Sequence, residues 1–269
     1  MSIPLINFEV CAAQDVAIAT ATSTGVQFTT SATVNTKSTY TELVASTSAD
    51  IGWIDIAMSV ITLSHIFECC AVDIAIGAAA SEVVIISNLV MAWGNTNPGG
   101  GKIALPITIP AGSRISFRYQ ASNPGDTIGL VMHGYTANFQ YVSSYEDLGF
   151  VSSGATHGTQ VNPSATANTK GSYTQIISAT ARDYVGMFFC FDEQDTNLGS
   201  KYLYDIAIGA AASEVVISPD WFVWTEGFPG QWSGYLPIAI PSGTRIAARS
   251  QCSGTSQSGL KLTVYGAVG

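Results

Sequence analysis

Residues 73–85 read DIAIGAAASEVVI, and residues 205–217 read DIAIGAAASEVVI again. Thirteen consecutive identities, 132 positions apart, mark an internal duplication. The flanks repeat in the same order. ATVNTKSTY (32–40) matches ATANTKGSY (165–173), LPITIPAGSRI (105–115) matches LPIAIPSGTRI (236–246), and LVMHG (130–134) matches LTVYG (262–266). The offset stays between 131 and 133, so only short insertions separate the copies. Such a period is far longer than the roughly 20–50 residues of solenoid repeats and suits a domain with its own core. The expected organisation is a first module at 1–134 (repeat core 15–134), an ordered connector at 135–146 and a second module at 147–269 (repeat core 147–266). The connector, YTANFQYVSSYE, is aromatic and alternating rather than Gly/Ser-rich, which predicts rigid packing between the modules.

Around the repeated segment, short β-branched runs bounded by Gly, Pro, Asn and Ser recur every 8–15 residues, and no stretch sustains helical spacing. In the first copy, strands are expected at 15–20, 40–45, 50–60, 72–77, 83–86, 89–93, 102–109, 114–120 and 128–133. This pattern predicts an all-β chain of two tandem β-sandwich modules of jelly-roll type. Gly77 and Gly209 are placed where GAAAS turns one strand into the next. In RISFR (114–118) and RIAAR (245–249) the two-residue period of a strand puts Arg114 with Arg118, and Arg245 with Arg249, on one face.

Only 11% of residues are charged, against about 25% in ordinary soluble domains. Faces so poor in charge are easily desolvated, which fits either a β-rich fold with a Thr/Ser surface or a surface covered by neighbours in an oligomer or large particle. Net charge is −9 and basic runs are absent, which argues against a nucleic-acid partner. No apolar run reaches the roughly 18 residues of a membrane span; the longest, 53–67, is interrupted by Asp55, Ser59, Ser64 and His65. The N-terminus carries Glu9 and lacks a basic n-region, so synthesis in a cytoplasm without a secretory signal is expected. Cys11, Cys69, Cys70, Cys190 and Cys252 have no metal spacing and are expected as free thiols.

Catalytic patterns are weak, and no enzymatic activity or cofactor is expected. His65, His133 and His157 have no histidine counterpart in the other copy. Asp73 with Glu82, and Asp205 with Glu214, are carboxylate pairs present in both copies. A glycosidase acid and base could be built from such pairs, but ion pairing to the repeated arginines, or to a neighbouring subunit, is the preferred reading. Asp192, Asp195 and Asn197 faintly resemble a calcium loop without its closing glutamate. Trp93 aligns with Trp224 and is expected in the core of both copies. Trp221, Trp232 and Tyr235 lie in an aromatic-rich stretch of the second copy, which makes them candidates for stacking on a sugar ring.

DIAIGAAASEVVI followed by LPITIPAGSRI resembles structural proteins of tailed bacteriophage particles, which carry tandem β-sandwich modules in capsid decoration, tail, collar or baseplate. The resemblance implies a virion protein assembled in the host cytoplasm, with itself and other virion proteins as partners. On this reading Arg114, Arg118, Arg245, Arg249, Asp73, Glu82, Asp205 and Glu214 are assembly-contact candidates. The alternative is a module that binds a host glycan or receptor through the second-copy aromatics.

Overall fold

The computed structural model describes residues 13–17, 25–29, 31, 33–62, 67–94, 99–121, 127–136, 142–153, 156–192, 199–225, 231–255 and 257–269. Module 1 comprises β1 (Ala13–Ala17), β2 (Val26–Thr29), β3 (Thr41–Val44), β4 (Ile51–Thr62), β5 (Phe67–Ile76), β6 (Val83–Gly94), β7 (Gly99–Ile109), β8 (Ile115–Ala121) and β9 (Thr127–Tyr135). Module 2 opens with β10 (Ser144–Leu148), the short pair β11 (Ser152–Ser153) and β12 (Thr156–His157), and β13 (Thr159–Gln160). It continues with β14 (Thr174–Ile177), β15 (Gly186–Asp192), β16 (Lys201–Ile208), β17 (Val215–Trp224), β18 (Gln231–Trp232), β19 (Ile246–Cys252) and β20 (Lys261–Val268).

In module 1 the front sheet has the order β1-β9-β4-β7, with β2 beside β9, and the back sheet β3-β8-β5-β6. In module 2 the front sheet is β10-β20-β15-β18, with β13 beside β20, and the back sheet β14-β19-β16-β17. Counting β1 and β2 as one leading strand, this is the double Greek key of a jelly roll, present twice. The chain is therefore all-β, built of tandem sandwiches. Alternation fills each core: Ile54, Ile56 and Met58 of β4 point inward, as do Met187, Phe189 and Phe191 of β15.

The sandwiches are not beads on a string. Strand β10 pairs antiparallel with β20 and meets β6 in parallel at Tyr145 and Ile86. The front sheet of module 2 thus continues the back sheet of module 1. The connector expected at 135–146 overlaps the end of β9 and the start of β10, and its residues 137–141 lie outside the described ones. Because side chains alternate, β15 and β20 are buried on both faces. Phe189, Phe191, Leu262 and Val264 fill module 2's core, while Phe188, Cys190, Tyr265 and Ala267 join module 1's. Burying each large side chain contributes roughly 1.5–3 kcal/mol.

One strand expectation needs correction. Strands read at 83–86 and 89–93 form the single strand β6. The turn-favouring Asn88 takes a left-handed backbone (φ 45°) and makes a bulge between Val72 and Ile74 of the partner, not a break. Asp220 does the same in β17 (φ 48°).

Candidate functional site

The segment repeated in sequence builds a repeated ion network. Asp73 sits on β5 opposite Arg118 of β8, and Asp205 on β16 opposite Arg249 of β19. Asp73 is only 4% exposed and accepts bonds from Lys37 Nζ at 2.9 Å, Arg118 Nε at 2.9 Å and the Asn88 N–H at 2.8 Å. Asp205 accepts from Lys170 Nζ at 2.8 Å, Arg249 Nε at 2.8 Å and the Asp220 N–H at 3.0 Å. Each arginine also lies over a tyrosine ring, Arg118 on Tyr40 and Arg249 on Tyr173. Burial pushes the Lys37 ammonium below its ordinary value despite the pull of Asp73. Burial alone would raise the Asp205 carboxyl, but the Asp220 N–H, Lys170 and Arg249 together hold it below its ordinary value. Lys37 and Lys170 were absent from the sequence-derived candidates, although the NTK they share in both copies was the available signal.

A second pair of clamps fixes the GAAAS hairpins. Arg114 Nη1 donates to Glu82 at 3.2 Å and to the Gly77 carbonyl, and Arg245 Nη1 to Glu214 at 3.0 Å and the Gly209 carbonyl. Both hairpins need the same unusual backbone, left-handed at Gly77 and Ala80 and at Gly209 and Ala212. A Cβ on Gly77 would lie 2.9 Å from the Ser81 carbonyl oxygen, so glycine is required there. All eight assembly-contact candidates are therefore bound within the chain, the carboxylates by cations. That chemistry holds loops and strands in place.

The remaining sequence candidates are dispersed. His65, Asp195 and Asn197 lie outside the described residues. Asp192 is 2% exposed and accepts the His157 backbone N–H at 2.8 Å. Among the described residues no three metal-binding side chains converge. His157 is fully buried, stacked on Phe150 at 5.4 Å, and neither ring nitrogen has a hydrogen-bond partner among the described residues. Burial, reinforced by Lys37 and Lys261, lowers its pKa to about 4. Cys70, Cys190 and Cys252 are buried thiols.

The aromatic candidates are tucked in. Trp221 packs edge-on to Phe189, and Tyr235 packs against module 1's core. Trp232 donates its indole N–H to the Val90 carbonyl at 3.0 Å. Tyr265 accepts the Val90 N–H at 2.8 Å and donates to the Asn88 carbonyl at 2.7 Å. These side chains of module 2 cap the outward backbone groups of β6, an edge that β10 reaches only at Ile86. Tyr145 donates to the Pro106 carbonyl at 2.7 Å, and Asp147 is held by Ser87 and Asn88, completing the junction.

The corresponding edge of module 2 has no partner strand among the described residues, and Gln231 Nε2 donates to the Trp224 carbonyl at 2.6 Å. Strand β17 ends the order β14-β19-β16-β17, with Val215 63%, Phe222 54% and Trp224 37% exposed. The core position expected for Trp224 is thus overturned: Trp224 shares the outer face with Phe222, while Val223 between them points inward. The Trp93 side chain lies outside the described ones.

No protein-family model matches the chain, and no curated protein does. Among solved structures it is similar to the CBM22-1–CBM22-2 tandem domain of Xyn10C from Paenibacillus barcinonensis (9% identity, TM-score 0.26, 90% of this chain and 84% of that one). It is also similar to the Gx strain of infectious bursal disease virus (10% identity, TM-score 0.28, 83% of this chain and 58% of that one). A third match is to T=1 particles derived from the same virus (12% identity, TM-score 0.28, 83% and 56%). The chain spans under two thirds of the length of these viral chains. Superpositions this loose assign no function, and the fold class rests on the strand order itself.

Proposed function

We propose that this chain is a non-catalytic structural protein of a virus particle, of the tailed-phage decoration, tail or baseplate kind, acting through protein–protein contacts. The observation that carries this reading is the junction between the modules. One jelly roll leaves a sheet edge, and the next completes it with a strand and with polar side chains, a mode that can be repeated between chains. A chain with only 11% charged residues fits the same use, and the buried thiols Cys70, Cys190 and Cys252 suit assembly in a reducing cytoplasm. The test is composition: gradient-purified particles made in cells expressing this sequence should contain the chain in fixed stoichiometry. Free chain accumulating beside particles that lack it would sink the proposal.

A second reading has one observation in its favour. Phe222 and Trp224 stand side by side on the outer face of β17, as a platform for a sugar ring would require. Quenching of Trp224 fluorescence by host glycans, lost in Trp224→Ala, would support it. Unchanged fluorescence across a glycan panel would dismiss it.

A further inference from the structure

We propose that the chain self-associates head to tail, the β17 edge of one molecule docking on the front sheet (β1-β9-β4-β7) of a second copy. The contact would repeat between molecules the junction that joins module 1 to module 2 within one. The proposal rests on the particle-protein reading and deepens it by naming a partner.

The first support is register. Ala71 pairs with Val90 as Leu203 pairs with Phe222, Ile74 with Ile86 as Ile206 with Ser218, and Ile76 with Val83 as Ile208 with Val215. The bulges at Asn88 and Asp220 coincide as well. Phe222 therefore stands where Val90 stands, with its N–H and C=O directed away from β16. Val90 has these groups capped by Tyr265 and Trp232. At Phe222 no capping side chain meets them among the described residues.

The second support is the other half of the contact. Asp55 pairs with His133 as Phe188 pairs with Tyr265, and Ala57 with Lys102 as Cys190 with Trp232. His133 thus occupies the place of Tyr265, and Lys102 the place of Trp232. An imidazole can accept an N–H and donate to a carbonyl, and the Lys102 ammonium, ion-paired to Asp55, keeps two further N–H donors for a carbonyl, so both caps can be reproduced. Lys102 is 60% exposed, and His133, Ala57, Val131 and Tyr135 on the same face are half-exposed.

Size completes the case. Inside the molecule, small Val90 meets the large Trp232 and Tyr265. At the free ends the assignment is reversed, with large Phe222 and Trp224 on the edge and Asp55, Ala57, Lys102 and His133 on the sheet. Asp220, 65% exposed and ion-paired to Lys170, lies on the edge where the sheet carries Lys102, itself paired to Asp55. A contact between two different patches does not close in pairs, so it grows into rings or open chains.

The test is sedimentation velocity of the full chain over a concentration series, with a variant for each half. Phe222→Asp disables the edge. Ala57→Arg disables the sheet, with Val131→Lys on the same face replacing it if that variant fails to fold. The parent should associate, each variant alone should weaken association by about thirtyfold or more, and an equimolar mixture of the two should yield a discrete 1:1 dimer. A parent that stays monomeric, an edge variant that associates like the parent, or a mixture that remains monomeric would each overturn the proposal. A sheet variant that associates like the parent, beside an edge variant that does not, would also overturn it and would indicate edge-to-edge pairing of β17 instead. A monomeric parent still present in purified particles would defeat only the head-to-tail contact; an associating parent absent from particles would defeat only the particle reading.

Discussion

Module 1 and module 2 fold through the same strand order, the same registers and the same two ion clamps, yet their outer surfaces differ. The edge of β6 is capped by Tyr265 and Trp232, whereas the matching edge of β17 carries exposed Phe222 and Trp224. On the front sheets the contrast runs the other way: Phe188 and Cys190 are buried between modules where Asp55 and Ala57 face outward. Features present twice maintain the sandwich, and features present once record what each surface touches.

The comparison is tested most severely at its shared centre. Asp73→Ala strands two cations and should lower unfolding free energy by about 4 kcal/mol in urea titrations, and Asp205→Ala should cost somewhat less because Lys170 keeps Asp220. Strongly unequal losses would show that the two networks are not equivalent. His157 has no counterpart in module 1 and should give module 2 a private sensitivity to acid. Its ring is held neutral down to about pH 4, whereas the unfolded chain binds a proton near 6.5. The unfolded state therefore takes up more protons between these values, and stability falls as pH drops through that window, by about 3 kcal/mol in all. His157→Phe should flatten the slope; a profile identical to the parent's would remove His157 from the account. Trp232→Phe keeps the ring but leaves the Val90 carbonyl without its indole donor, for an expected loss of about 1–2 kcal/mol. A stability equal to the parent's would mean that the indole does not help to cap the edge. Phe222→Ser should change stability by no more than about 0.5 kcal/mol, because its ring is not part of either core. A larger loss in the isolated chain would place Phe222 in the fold instead of at a contact.

The duplication, the all-β class and the cross-strand positions of the arginines were legible because they depend on repetition and on a two-residue period. The partnership of Lys37 with Asp73 was not, since it joins a loop to a strand 36 residues away and no local spacing encodes it. Trp232 looked like a ligand residue for a similar reason: its acceptor, Val90, lies 142 positions earlier. Asn88 was misread as a break because the same backbone preference serves a turn or a bulge, and only the partner strand decides between them. The open edge of β17 was invisible in sequence, where Phe222 and Trp224 look as apolar as any core residues.

The capping of β6 by Tyr265 also sets a timetable. Tyr265 lies in β20, which is synthesised well after module 1 is complete, so module 1 leaves the ribosome with its edge bare. At ordinary rates of 5–20 residues per second that interval lasts on the order of ten seconds. During it the nascent chain presents the kind of template on which polypeptides aggregate. Ribosome-bound chains that expose module 1 alone should therefore recruit more chaperone, or bind more hydrophobic dye, per open edge than the complete tandem; equal binding by both would show that the edge is shielded some other way.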